Sequence, residues 1–207
     1  APGLEVLSLR ARRTDTMRDI PGVEYVDGAN YVGEDRRYYR ASGTSFSAPI
    51  VAGVASMLLS RDPQLGAAQV KQILLQSAQD LEVPGIDQYT GYGMVDALAA
   101  LQADADYFIE SGIERVEVVQ EGGATLVRVL GTADADRFDG ARLELGQGEA
   151  PTSWKPVAQP LRRAVESGVL GDIDAANFAG AVKWTIRVIT THKNGKTREA
   201  WYLLELG

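Results

Sequence analysis

Ser42-Gly43-Thr44-Ser45-Phe46-Ser47-Ala48-Pro49 leads directly into a run of apolar and small residues that ends near Leu59. These residues would fall on every side of a helix, so we predict a helix over about 45–61 that is buried all round. Pro49 is compatible with this helix because it falls in the first turn, where backbone N–H groups have no intrahelical partner. The stretch therefore predicts a buried helix with a serine at its entrance.

A serine in this position has two possible uses. A nucleophilic serine needs an exposed hydroxyl on a rigid element, with N–H groups directed at the developing oxyanion. The first turn of a helix supplies free N–H groups and the positive end of the helix dipole, and Gly43 lets a substrate carbonyl approach the backbone closely. Gly-Thr-Ser before an apolar helix is, however, also a good N-cap. The residues alone leave both interpretations of Ser45 open.

Four segments resemble the subtilisin-like serine peptidases in order and approximate spacing. Residues 43–49, followed by Val-Ala-Gly at 51–53, resemble the family's serine signature. Ala-Pro-Gly at 1–3 resembles the segment upstream of that serine, and Gly-Tyr-Gly-Met-Val-Asp-Ala at 91–97 resembles the segment that closes the catalytic domain. Residues 69–75, in a helix predicted over about 67–78, resemble the penultimate helix. The resemblance predicts that residues 1–103 are the C-terminal part of a subtilisin-like catalytic domain with an α/β fold.

The resemblance implies a serine endopeptidase in which Ser45 is the catalytic nucleophile, and in which Gly43, Thr44 and Ser45 lie next to the oxyanion or the substrate. In this family the triad aspartate and histidine, with the oxyanion-hole asparagine, precede the Ala-Pro-Gly segment. We therefore expect these groups to come from an N-terminal segment, and expect this chain to be an inactive fragment by itself. The alternative is a non-catalytic binding or assembly protein that retains a protease-derived scaffold.

The single histidine, His192, follows the serine by more than a hundred residues. It stands beside Asn194-Gly195, a dipeptide that favours a two-residue type I′ hairpin turn. We expect an exposed histidine at a strand end rather than the catalytic base.

Partners and location are implied by the same resemblance. A strand at residues 4–9 and the helices would pack on a parallel sheet whose other strands this chain lacks, so apolar helix faces need a cover. We expect the cover to be the N-terminal part of the same protease or a second copy in a self-associated dimer, and the substrate to be a protein or peptide. An extracellular or cell-envelope location is implied too, and many relatives bind Ca²⁺.

Residues 14–40 form a polar stretch with turn signals at Pro21-Gly22 and Asp27-Gly28, so we predict a long loop. A solvated surface insertion and a wall of the substrate groove both remain open. The groove wall would use Tyr25, Tyr31, Tyr38 and Tyr39. The acidic residues Asp27, Glu34 and Asp35 carry oxygen ligands for calcium, but they do not match the ordered spacing of a calcium loop.

The pattern changes near Gln102 from helical spacing, with a last helix predicted over about 95–101, to short alternating strands with glycine turns. We therefore predict a second domain over 104–207 that is a β-sandwich. Its strands are predicted near 116–119, 125–130, 141–145, 182–190 and 199–206. Residues 143–154 and 182–188 resemble an immunoglobulin-like module of secreted bacterial and archaeal proteins. Trp154, Trp184 and Trp201 fit either core packing or a ligand-binding aromatic patch.

Composition limits the remaining function classes. The formal net charge is −7, which disfavours nucleic-acid binding because a clustered basic face is required. The chain has no cysteine, so disulfides and thiol nucleophiles are excluded for these 207 residues. No apolar run approaches the roughly 20 residues of a membrane-spanning helix.

Overall fold

The computed structural model describes residues 1–9, 31–32, 37–87 and 89–206. The chain divides into two compact units, Ala1–Arg61 and Asp62–Gly207. Within the described residues, no helix combines the length and apolar character that crossing a bilayer requires.

The described residues of the first unit form a small antiparallel sheet and one long helix. Its strands are β1 (Val6–Leu9), β2 (Tyr31–Val32) and β3 (Tyr38–Ala41), in the order β1-β3-β2. The helix α1 spans Thr44–Arg61, as the sequence predicts. The strand predicted from residue 4 begins at Val6. The prediction of a loop over 14–40 is wrong at its C-terminal end. Residues 38–41 form the strand β3, whose backbone pairs with β1.

The helix α1 is not buried on all sides by the described part of the chain. Only Val54 and Leu58 are buried in it, whereas Met57 and Leu59 are each 43% exposed. Among the described residues, α1 is therefore buried on part of its surface only, and the predicted burial on all sides would require the cover that the family resemblance implies. Three short strands offer too little apolar surface to cover an 18-residue helix.

The second unit begins with two helices, α2 (Ala67–Gln76) and α3 (Ala97–Gln102), which match the predicted helices to within a few residues. The Gln72 amide donates to the carbonyl oxygen of Ala105 (3.1 Å), and the Gln76 amide oxygen accepts from the Ile109 N–H (3.1 Å). Residues 62–103 therefore form one compact unit with the strands that follow. The domain boundary at 103/104, which follows the family resemblance, stays a prediction.

Seven strands form two antiparallel sheets in this unit. They are β4 (Ile109–Glu121), β5 (Ala124–Ala135), β6 (Phe138–Gln147), β7 (Lys155–Pro156), β8 (Val165–Asp174), β9 (Lys183–His192) and β10 (Thr197–Glu205). The sheet orders are β10-β9-β6-β7 and β4-β5-β8. Both sheets contribute to one apolar core, in which Val129, Leu143, Ile173 and Val188 are almost completely buried. The second half is therefore all-β, as predicted, and its immunoglobulin-like topology stays a prediction.

Strand β8 was not predicted from the sequence because its pairing with β5 is irregular. Its register with β5 shifts twice, between Val129 and Leu130 and between Gly131 and Ala133. Each shift moves the following side chains to the other face, so the apolar residues of β8 do not alternate with a period of two. The sequence pattern of a regular strand is lost there.

The predicted hairpin joins β9 to β10, but its turn lies one residue earlier than the Asn-Gly rule predicts. The Gly195 N–H donates to the His192 carbonyl oxygen (2.8 Å), and Gly195 has a φ of 84°. A type I′ turn would also require a positive φ at Asn194, which is absent. Asn194 instead donates its N–H to His192 Nδ1 (3.0 Å) and accepts from the Lys196 N–H (2.9 Å). These bonds favour a longer loop with its left-handed residue at the glycine.

Arg187 organises a charge network on the face of β9 that points away from the core. Its Nε donates to Glu144 Oε2 (2.8 Å), and its Nη1 donates to Glu199 Oε2 (3.1 Å). Arg142 donates to the other oxygen of Glu144 (2.8 Å). The guanidinium carbon of Arg187 also lies 4.0 Å from the centroid of the Trp154 ring. Glu144 therefore binds one arginine of its own strand, β6, and connects β6 to β9 through Arg187.

The three tryptophans do not form one patch. Trp154 and Trp201 pack edge to face with ring centroids 5.0 Å apart. Trp184 contacts Phe178 instead, with centroids 6.0 Å apart. Because these rings are engaged with neighbouring side chains, the arrangement favours packing over ligand binding.

We predict that Glu144→Gln destabilises the chain by about 1–3 kcal/mol, because it takes this carboxylate away from the partly buried guanidinium of Arg187. Burial raises the pKa of Glu144, but the hydrogen bonds from Arg142 and Arg187 outweigh it and hold the pKa below the ordinary value of 4.5. The folded-state pKa is lowered, so the stabilisation is complete above about pH 4.5 and is lost as the pH falls through the folded-state pKa. Urea unfolding from about pH 7 to 3.5 measures this difference.

The matched control is Glu117→Gln, since Glu117 pairs with Arg115 at 2.8 Å but both side chains are about half exposed. We expect it to cost less than about 1 kcal/mol. Equal effects of the two substitutions, or an effect of Glu144→Gln that grows at low pH, would contradict the network's role.

In the segment 91–97, the close contact with residue 79 depends on one glycine, Gly93. Gln79 and Met94 exchange two backbone hydrogen bonds of 2.8 Å, which brings the backbone at Gly93 against residue 79. A Cβ at Gly93 would lie 2.0 Å from the Gln79 carbonyl oxygen, and the φ of Gly93 is 102°. A Cβ at Gly91, whose φ is 60°, would meet no atom within 4 Å.

We predict that Gly93→Ala destabilises the chain by at least about 3 kcal/mol, because backbone strain and steric overlap add. Gly91→Ala should cost only about 1 kcal/mol, since it adds the left-handed strain alone. Denaturant unfolding of both variants tests this order. A reversed or equal order would show that residues 79 and 94 do not pair this closely.

Candidate active site

Ser45 lies in the first turn of α1, and it is exposed. The helix begins at Thr44, directly after Gly43, whose φ is 154°. The Phe46 N–H donates to the Gly43 carbonyl oxygen (3.0 Å), which closes the turn that carries the serine. The sequence-predicted residues Gly43, Thr44 and Ser45 therefore stand together at the entrance of the helix, with the serine hydroxyl open to solvent.

The N–H groups of this turn are not equivalent. The Gly43 N–H donates to the Gly3 carbonyl oxygen (2.7 Å), so it is already engaged. Among the described residues, no acceptor is paired with the N–H groups of Thr44 or Ser45. These free donors lie at the positive end of the helix dipole. The turn can therefore stabilise an anion next to the Ser45 hydroxyl.

Two serines near Ser45 were not singled out from the sequence. The Ser47 Oγ donates to the Pro2 carbonyl oxygen (3.2 Å), and the Ser42 Oγ accepts from the Glu5 N–H (2.9 Å). Both contacts join segments about 40 residues apart, so no local pattern could predict them. The resemblance of residues 1–3 to an upstream family segment was the only signal that this part of the chain lies near the site.

His192 lies in the second unit and has partners of its own. It is only 3% exposed, so the prediction of an exposed histidine is wrong. Its Nδ1 accepts the Asn194 N–H, which leaves the proton on Nε2, 3.4 Å from Asp136 Oδ2. The Tyr107 ring packs edge to face against it, with centroids 5.2 Å apart. These contacts favour a structural role in the β9–β10 hairpin over that of a catalytic base.

The proposed groove wall and calcium ligands fall mostly outside the described residues. Tyr25, Asp27, Glu34 and Asp35 lie there, and of Tyr31 only the strand pairing is described. Tyr38 and Tyr39 are in β3, where they pair with Leu9 and Ser8 of β1. In the described ranges, no group of three or more histidine and acidic side chains could hold a metal ion. The calcium site and the groove wall therefore stay predictions.

Comparison with known proteins gives a consistent family. Residues 21–93, which include Ser45, match the subtilase family. The chain is 36% identical over 104 residues to mycosin-5 of Mycobacterium tuberculosis, covering 50% of this chain and 16% of that protein. It is 30% identical over 148 residues to a probable subtilase-type serine protease of Deinococcus radiodurans, covering 65% and 20%. It is 37% identical over 76 residues to an extracellular serine protease of Serratia marcescens, covering 37% and 7%.

The chain spans no more than a fifth of the length of any of these three relatives. The matched residues nevertheless contain the whole of α1, the exposed serine at its entrance, α2 and the first three residues of the glycine-rich segment, Gly91 to Gly93. Residues 21–93 of this chain thus match the subtilase family over the segment that carries Ser45.

Proposed function

We propose that this chain is the serine-bearing part of a subtilisin-like endopeptidase and that Ser45 is its nucleophile. The observation that carries the proposal is the exposed Ser45 hydroxyl at the first turn of α1, next to backbone N–H groups that have no acceptor among the described residues. The match of residues 21–93 to the subtilase family supports the reaction type, which is acyl transfer to a serine.

In the proposed reaction the Ser45 Oγ attacks the carbonyl carbon of the scissile peptide bond. A base takes the hydroxyl proton, and the carbonyl oxygen becomes an oxyanion that the Ser45 N–H stabilises. The base then gives the proton to the leaving amine, the C–N bond breaks, and water releases the acyl group from the serine. Gly43 leaves room for the substrate backbone beside the serine.

The base and its supporting groups are proposed to come from an N-terminal segment of the same protease. His192, the only histidine of the chain, uses its ring nitrogens within the β9–β10 hairpin. A triad aspartate, a triad histidine and an oxyanion-hole asparagine from that segment would complete the site. We accordingly expect the 207-residue chain alone to cleave no peptide at a measurable rate.

The surface of the first unit supports this docking. The apolar side chains of β1 and α1 are exposed at several points, with Leu7 at 51%, Leu9 at 76% and Leu59 at 43%. Exposed apolar side chains on two elements of one unit indicate a surface that another part of the protein covers. We propose the N-terminal part of the same protease as the cover, with a self-associated dimer as the other outcome of the test below.

The substrate is proposed to be a protein or peptide outside the cytoplasm or at the cell envelope. Support comes from the relatives, which include a protein named an extracellular serine protease. The β-unit with its separate core is proposed to be an immunoglobulin-like module that stabilises the protease or acts as a spacer, since nothing in its described contacts arranges a nucleophile and a base.

Ser45→Ala in the full-length enzyme should abolish covalent labelling by a fluorophosphonate probe and lower kcat by about a millionfold, the size known from loss of the nucleophile in subtilisin. Ser60→Ala is the matched control, because Ser60 is an exposed serine of the same helix. Mass spectrometry of the labelled protein locates the adduct. An unlabelled parent enzyme would favour the non-catalytic binding protein, and an adduct on another residue would show that Ser45 is not the nucleophile.

Leu59→Ser should destabilise the full-length enzyme by about 1–2 kcal/mol and leave the isolated chain nearly unchanged, because its side chain becomes buried only when the cover is present. Leu203→Ser is the control, since Leu203 of β10 has the same 43% exposure. Denaturant unfolding of both forms measures the difference. If Leu59→Ser instead weakens self-association of the 207-residue chain, the second copy rather than the N-terminal segment is the cover.

A further inference from the structure

The turn that carries Ser45 is tied to the N-terminal segment on both sides of the serine. Two residues before it, the Gly43 N–H donates to the Gly3 carbonyl oxygen (2.7 Å). Two residues after it, the Ser47 Oγ donates to the Pro2 carbonyl oxygen (3.2 Å). The carbonyl groups of Pro2 and Gly3 therefore bind the start of α1 at a residue before the serine and at a residue after it.

A third hydrogen bond extends this connection. The Ser42 Oγ accepts the Glu5 N–H (2.9 Å), and Glu5 has a φ of 52°, which is unfavourable for a residue with a Cβ. Backbone strain of this kind persists where surrounding contacts enforce it. The N-terminal segment is thus bent to follow the turn.

Gly3 is required for space at this contact. A Cβ at Gly3 would lie 2.5 Å from the Ser47 Oγ and 3.0 Å from the Gly43 carbonyl oxygen. Both distances are shorter than ordinary van der Waals contact. Gly3 and Ser47 therefore form a matched pair, in which the small residue allows the approach and the hydroxyl uses it.

The hydrogen bond of Ser47 is not the one that its position in the helix favours. A serine inside a helix commonly donates to the carbonyl oxygen four residues earlier, which is that of Gly43. Ser47 donates instead to Pro2, 45 residues away. The Ser47 hydroxyl thus connects the helix to another segment instead of bonding within the helix.

The first turn of a helix needs contacts to another segment if it is to hold a nucleophile in a fixed position. Its N–H groups have no intrahelical partners, so helix ends fray. A nucleophile that must approach a carbonyl carbon tolerates displacements of only about 0.5 Å. Ser45 itself has no hydrogen bond from its Oγ to any described residue.

We propose that Ser47 is a positioning residue for the Ser45 nucleophile: its hydrogen bond to Pro2, made possible by the absence of a side chain at Gly3, holds the first turn of α1 in the geometry for attack. This inference rests on the proposed function of Ser45. Because the Ser47 hydroxyl is engaged with Pro2, its effect is on the rate of attack and not on substrate affinity.

The test uses the full-length enzyme with Ser47→Ala, Ser47→Thr and, as a surface control, Ser60→Ala. Ser47→Ala should lower kcat and the rate constant of fluorophosphonate labelling at Ser45 by about tenfold, with KM changed less than twofold. Ser47→Thr keeps a hydroxyl and should recover most of the rate. Ser60→Ala should match the parent enzyme.

A second comparison tests the pairing with Gly3. Gly3→Ala should lower the labelling rate more strongly in the parent enzyme than in the Ser47→Ala background, because removal of the Oγ takes away the atom that the new Cβ meets first. Thermal unfolding of every variant separates a loss of folding from a loss of rate.

The outcomes are distinguishable. A parent enzyme without labelling at Ser45 overturns the proposed function and the positioning role together. A labelled parent with an unchanged rate in Ser47→Ala overturns the positioning role alone, whatever happens to the melting temperature. The same holds if Ser47→Thr is as slow as Ser47→Ala while both melt like the parent.

Discussion

The hydrogen bond from the Gly43 N–H to the Gly3 carbonyl oxygen is the contact on which the candidate site depends. It fixes the residue that immediately precedes α1, and thereby the direction in which the first turn leaves the sheet. The chain at Gly43 has a φ of 154°, so glycine suits the bend. With the turn placed in this way, the N–H groups of Thr44 and Ser45 remain free, and a free N–H at a helix entrance is what an anionic intermediate needs.

The two compact units differ in how far they satisfy their own apolar surface. In the second unit, both sheets direct apolar side chains into one core, where residues such as Ile173, Ile186 and Val188 have no solvent exposure. In the first unit, an 18-residue helix buries only two of its residues among those described. A helix with apolar and small residues on every side is adapted to surroundings on every side. The first unit thus leaves most of its helix without burial among the described residues, whereas the second unit has an apolar core of its own.

Prediction from sequence succeeded where the signal was local. The helices α1, α2 and α3 and six strands, which are β1, β4, β5, β6, β9 and β10, follow from the local sequence pattern, because the order of apolar residues along the chain reflects which sides of an element are buried. It failed where distant residues decide. Strand β8 lacks a regular alternation because its register with β5 shifts twice. The turn at Asn194-Gly195 lies one residue earlier than predicted because the ring of His192 accepts the Asn194 N–H. The burial of His192 depends on Tyr107 and Asp136, which lie far from it in sequence.

The sequence by itself determined the family segment, the helix that follows Ser45 and the all-β character of the second half, since motif and periodicity are properties of neighbouring residues. Only the tertiary structure decided that Ser42 and Ser47 hold the turn, that the Gly43 N–H is engaged while that of Ser45 is free, and that residues 62–103 join the β-strands in one unit. The physical reason is the range of the interactions. Hydrogen bonds between residues about 40 positions apart depend on how the tertiary structure brings two segments together, and a local sequence pattern does not determine that arrangement.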